Sequence, residues 1–205
     1  MRRLLSIVTV AAAMAWPLAG TAQTTDIAGI KFPNSLQVGN ARLQLNGAGV
    51  RHKVVFKVYA AALYLTDKAS TPEAVLLAPG PRRLQIVMLR DIDGNELGKL
   101  FTKGMQENAP REEFSKSITG ILRMSDVFST RKKLLAGESF ALEWLPGTGT
   151  VISVNGKPEG PPVKEPEFYS ALMKIWLGKS PADAQLKEAL LGRPLATQGS
   201  GSYNN

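Results

Sequence analysis

Hydrophobic positions along this chain switch between a period of two and a period near 3.6, and the switches mark out its elements. From 26 to 45 short apolar bursts are broken at Pro33-Asn34 and Gly39-Asn40, a strand, turn, strand pattern. Residues 47–65, GAGVRHKVVFKVYAAALYL, begin as a glycine-flanked turn and continue as the most strand-like run in the protein. Over 54–65, Val55, Lys57, Tyr59, Ala61 and Leu63 face one way. Phe56, Val58, Ala60, Ala62 and Tyr64 face the other. Both faces are largely apolar, which predicts a central strand covered on both sides. The alanines at 60–62 leave little side-chain volume, and so admit either a close-packed helix or a ligand.

The helical period takes over further on. Residues 71–77 form a short predicted helix with Pro72 in its first turn, stopped by Pro79-Gly80-Pro81, and 82–91 reads as a strand. Asp93 with Glu96 three positions later opens a helix carrying Leu97, Leu100, Phe101 and Met105 on one face. Pro110 separates it from a second helix with Phe114, Ile118, Ile121 and Leu122. Residues 140–144 and 150–154 make a hairpin around Pro146-Gly147-Thr148-Gly149, and Asn155-Gly156 is a further tight turn. Two helices follow: 167–177, with Phe168, Leu172, Ile175 and Trp176 in phase, and 181–191, capped by Ser180 and ended by Gly192 and Pro194. This order predicts an α+β fold, an open-faced sandwich with helices layered on one face of a mostly antiparallel sheet.

Composition narrows the picture at the ends. Arg2 and Arg3, an apolar run from Leu4 to Leu18 and the small residues Gly20-Thr21-Ala22 have the layout of a secretory signal peptide over 1–22. The mature protein is then expected outside the cytoplasm, in the periplasm of a Gram-negative host, as one domain over 23–195 with a disordered polar tail over 196–205. The apolar run is too short, and interrupted by Pro17, for a membrane span.

The absence of cysteine excludes disulfides, thiolate metal sites, cysteine nucleophiles and a lipoprotein anchor. His52, the sole histidine, cannot build a multi-histidine metal site and has no triad pattern around it. No metal, cofactor or nucleic-acid partner is expected. The net charge of +8 is spread out, with Arg82-Arg83 and Arg131-Lys132-Lys133 as its dense spots. It reads as a solvated basic surface, with weak contact to an anionic lipid surface as the alternative.

The chemistry concentrates at Arg51 and Tyr59, with Tyr64 as a third polar group nearby. An arginine in an apolar stretch needs acceptors, and its planar fork suits a carboxylate. A tyrosine adds a hydroxyl donor on an apolar ring. Together they describe a pocket for an amphipathic acid. They equally describe an arginine paired internally beside an ordinary core tyrosine. Eight residues of straight strand span about 26 Å, so the two side chains meet only if the chain turns back near 52–54.

Three stretches, GAGVR…FKVYAAALYL, IVMLRDIDGNELGKLFTKGM and EFYSALMKIWLGKSPADAQLKEALLG with its G-x-S-P junction at Gly178, Ser180 and Pro181, resemble the chalcone isomerase-fold family. They are similar to its bacterial secreted and plastid fatty-acid-binding members, from Asp26 to about Gly192. In true isomerases the resemblance implies a catalytic arginine, threonine, tyrosine and asparagine. Those positions hold Arg51, Tyr59, Leu97 and Gly104 here, and the flavonoid pocket's threonine–methionine pair falls at Ile175 and Trp176. Only the arginine is kept, so no catalytic residue is assigned. The fatty-acid-binding members are similar at both carboxylate contacts, Arg51 and Tyr59, although the loop between them is shorter here.

The resemblance therefore implies a non-catalytic protein binding a fatty acid or similar apolar carboxylate. Arg51 and Tyr59 would hold its head group, with Tyr64 as a further ligand-binding residue nearby, and Leu97, Leu100, Phe101, Leu172 and Trp176 would lie along its tail. The alternatives are an isomerase or lyase on a non-flavonoid substrate, with a tyrosine whose pKa Arg51 lowers, and a module without ligand.

Overall fold

In the computed structural model, which describes residues 23–193, the chain opens with a separate hairpin, β1 (Thr24–Ile27) and β2 (Ile30–Pro33). Three strands follow, β3 (Ser35–Val38), β4 (Ala41–Lys53) and β5 (Phe56–Leu65), then helix α1 (Pro72–Leu77) and β6 (Arg82–Met88). The helical layer is α2 (Gly94–Asn108), α3 (Arg111–Lys116) and α4 (Ile118–Thr130), flanked by the short ladder of β7 (Ile92–Asp93) with β8 (Lys133–Leu134). Next come β9 (Ser139–Leu145), β10 (Gly149–Val154) and β11 (Lys157–Pro158), and α5 (Pro166–Leu177) and α6 (Ala184–Leu190) close the fold. The main sheet has seven antiparallel strands in the order β11-β10-β9-β6-β5-β4-β3. This is the α+β sandwich that the residue pattern predicts. The predicted signal peptide, Pro194 and the polar tail lie outside the described residues.

The segment around the glycines differs from its expectation. Gly47 and Gly49 do not make a turn; they sit inside β4, a strand of 13 residues. A Cβ on Gly47 would collide with the carbonyl oxygens of Ala189 and Leu190, and one on Gly49 would lie 2.7 Å from the Ala189 Cβ. The glycines therefore let the end of α6 lie directly on the strand. The β4–β5 ladder shifts register at Leu45/Gly47. The residue left over there, Asn46, is buried and donates to Leu190 O (2.7 Å) and Ala69 O (2.9 Å) while accepting from Ala69 N (2.8 Å). The true turn is Val54-Val55, with Val54 at φ +58°.

Two helices also depart from the pattern. The helix after Pro110 breaks at Ser117, which resets its phase. Ile121, Met124 and Phe128 face the core, while Ile118 and Leu122 are 45% and 65% exposed. The last helix begins at Ala184 rather than 181, and its cap is Asp183, which accepts from Leu186 N at 2.9 Å.

Both faces of β5 are closed. On the helix side Phe101, Phe128, Phe140 and Trp176 pack edge-to-face, with Phe101–Trp176 centroids 5.9 Å apart and Phe128–Phe140 5.3 Å. Such aromatic pairs are worth about 0.5–1.5 kcal/mol each beyond their burial. On the other side Ala60, Ala62 and Tyr64 pack with Phe32, Val38 and Leu43, with Ile27 and Ile30 of the β1–β2 hairpin against them. The alanine patch is filled by protein, and the space it leaves is no ligand room.

Candidate functional site

Because the chain reverses at Val54-Val55, Arg51 on β4 and Tyr59 on β5 are direct cross-strand partners. The Arg51 guanidinium carbon lies 5.6 Å from the Tyr59 ring centroid, a cation–π arrangement. From the opposite layer α5 presents Trp176, whose indole Nε1 donates to the Tyr59 hydroxyl at 2.7 Å. This bond, buried throughout, pins the tyrosine between sheet and helix. Beside it opens a cavity of about 180 Å³, walled by Arg51, Tyr59, Leu97, Leu100, Phe101 and Ile175. Lys103 and Glu107, 3.7 Å apart on α2, also line it and are both solvent-accessible.

Arg51 is half-buried, its Nε is enclosed, and among the described residues its side chain makes no hydrogen bond and no ion pair. Two carboxylates stand near it and both are engaged, Glu107 with Lys103 and Asp183 with backbone N–H groups. Asp183 accepts from His52 N through Oδ2 (2.8 Å) and from Leu186 N through Oδ1 (2.9 Å), tying α6 to β4. Burial pushes the Tyr59 hydroxyl up to about 12; the Arg51 charge and the Trp176 hydrogen bond pull it down by less. The tyrosine with a lowered pKa that an acid–base role requires is thus the reverse of what the site contains.

Of the residues singled out from the sequence, Arg51, Tyr59, Leu97, Leu100 and Phe101 meet at this cavity. Trp176 stands behind it and reaches it through Tyr59. Leu172 is enclosed in the helix-side core away from it. Tyr64 does not join the group: strand alternation turns it to the opposite face, among Phe32 and Leu43, with its hydroxyl buried and pushed up to about 12. Gly104 and Pro181 belong to the wall and were not picked out for it. Gly104 carries a readable signal, since it follows Phe101 by three on α2, and a Cβ there would come within 3.2 Å of Ile175.

A family model described as chalcone isomerase-like matches residues 24–192, and the chain belongs to that family. Among solved structures it is similar to an Arabidopsis thaliana fatty-acid binding protein. The TM-score is 0.61 at 15% identity, over 80% of this chain and 92% of that one. Among curated proteins none matches by sequence.

Proposed function

We propose that this protein binds a fatty acid or similar apolar carboxylate without turning it over, in the periplasm, with Arg51 holding the head group. The observation that carries this reading is an arginine side chain left without an acceptor among the described residues, in the wall of a largely apolar cavity. A carboxylate is the acceptor its fork fits. The name of the Arabidopsis neighbour agrees with it. The elevated Tyr59 and the apolar or side-chain-free positions Leu97 and Gly104 speak against acid–base chemistry there.

The cavity qualifies the ligand. Pockets for drug-sized ligands run to about 300–1,000 Å³, and this one has about 180 Å³. Beyond it the interior is filled by the Phe101–Trp176 cluster rather than by the acyl tail expected from the sequence. The enclosed part of the ligand is therefore the head group and the first stretch of chain, and the remainder leaves past Leu100 and Lys103. Calorimetric titration with saturated acids of increasing length should show about 0.8 kcal/mol gained per enclosed methylene, then a plateau. Arg51→Ala should weaken every member of the series by about 1.5–3 kcal/mol, the worth of a hydrogen bond to a charged group. Equal affinity in the variant would overturn the reading.

A further inference from the structure

We propose that the tip of the β4–β5 hairpin docks the protein onto an anionic lipid surface. The tip reads Lys53-Val54-Val55-Phe56-Lys57. Its three apolar residues are consecutive and stand out of the fold, Val54 90%, Val55 78% and Phe56 58% exposed. Of the other exposed large apolar side chains among the described residues, Ile118 and Leu122 sit one turn apart on α4, and Leu77 and Leu135 stand singly, as is ordinary for a protein surface.

The backbone sharpens the point. Val54 holds φ +58°, a region where a β-branched side chain is strained and glycine or asparagine is at ease. At 90% exposure the side chain recovers almost nothing from packing. The fold would be served better by another residue, so the apolar group at this apex answers to something outside the fold.

Charge identifies what that is. Lys53 and Lys57 flank the tip, and the Arg90 guanidinium lies 5.1 Å from the Phe56 ring centroid. The pairings Lys53↔Phe56, Tyr59↔Met88 and Val87↔Ser139 bring the β4–β5 turn, the end of β6 and the β8–β9 connection to one end of the sheet. Lys132 and Lys133 enter at that end, and the acids there are each engaged: Asp91 with Lys133 at 3.5 Å, Glu138 with Leu135 N and the Asn155 amide, and Asp93 as the cap of α2. Among the described residues none of Lys53, Lys57, Arg90 or Lys132 is in an ion pair.

An apolar apex ringed by free cations matches a bilayer interface, with the side chains at the acyl boundary and the cations on headgroup phosphates. Two copies of the same face would repel each other. No helix among the described residues is long and apolar enough to cross a membrane, and the tip is a surface anchor. This inference goes beyond the pocket reading and does not depend on it.

Sedimentation of the full chain with vesicles tests it. Vesicles of equimolar phosphatidylcholine and phosphatidylglycerol should carry the protein down, and pure phosphatidylcholine or high salt should release it. Val55→Asp with Phe56→Asp should lower the partition at least about tenfold, from the loss of buried apolar surface. Lys53→Gln and Lys57→Gln should each lower it about fivefold. Val54→Gly should raise the thermal midpoint while weakening vesicle binding, two opposite signs that a purely structural residue would not give. Uptake of a free acid in vesicle-free buffer reads the pocket alone, so the two readings fail separately. No binding to anionic vesicles, equal binding by the aspartate variant, or a dimer that the aspartate variant dissolves would overturn the proposal.

Discussion

Three arginines stack on aromatic rings among the described residues; Arg90 does so over Phe56 at the hairpin tip, and the other two, both with an enclosed Nε, differ in what their remaining nitrogens meet. Arg82, at the start of β6, lies 5.7 Å from the Trp144 centroid and 5.1 Å from that of Tyr169, and its Nη1 donates to the Val75 and Leu76 carbonyls at the end of α1. Arg51 lies 5.6 Å from Tyr59, and its side chain donates to no described residue. Helix α1 ends without a basic side chain in its last turn, and Arg82 supplies that missing positive charge from a neighbouring strand. At the other arginine the nearby carboxylates are committed, Asp183 to backbone N–H groups and Glu107 to Lys103. The same side chain is mortar where the fold brings acceptors to it, and a site where it does not.

The sharpest way to break that contrast is to make one substitution in both places. Arg82→Met removes the donor from two carbonyls and the cation from two rings, and should cost about 3 kcal/mol of stability. In a chain of this size that is roughly 10 °C in Tm by calorimetry. Arg51→Met loses one cation–π contact and should cost about 1 kcal/mol or less. Equal losses at the two positions would mean that Arg51 has a partner in solution and is no free donor.

A smaller effect separates the tyrosine beneath Arg51 from an ordinary surface phenol. Tyr59 is raised from 10.0 to about 12 in the fold. Its stabilising contribution is complete below pH 10, where both states are protonated. Above that pH the unfolded chain releases the proton first, so stability falls as pH rises from 10 toward 12. Urea midpoints measured across this range should drop, and Tyr59→Phe should flatten part of the drop. Tyr64, also raised to about 12, and Tyr169, raised further by its burial, keep the rest, so Tyr64→Phe is the matching control on the other face of the strand.

How far the sequence reached follows from which contacts are local. Strand alternation is local, and it separated Tyr59 from Tyr64 correctly even though both were gathered into one predicted set of ligand-binding residues. The cap at Asp93 is local too, and it accepts from the backbone N–H three residues on. Gly47 and Gly49 looked like a turn because their partners, Ala189 and Leu190, lie at the far end of the chain. The phase of α4 was lost at Ser117, which carries no glycine or proline to announce the break. Cavity volume is the least legible quantity, because it is set by how Phe101, Phe128, Phe140 and Trp176 share one space.

The contrast can also be removed by giving Arg51 what Arg82 has. Leu100 lines the same cavity from α2 and is half-buried, so Leu100→Glu sets a carboxylate in the wall that faces the guanidinium. A half-exposed pair of this kind is worth about 0–1 kcal/mol, and the variant should melt within a few degrees of the parent. Ligand uptake should respond far more strongly, because the internal carboxylate takes the fork and repels a second one. Restoring uptake in Leu100→Gln, which has nearly the same shape and no charge, would assign the loss to competition for Arg51 rather than to a filled cavity. If Leu100→Glu and Leu100→Gln lose the ligand equally, volume governs the site and the free guanidinium does not.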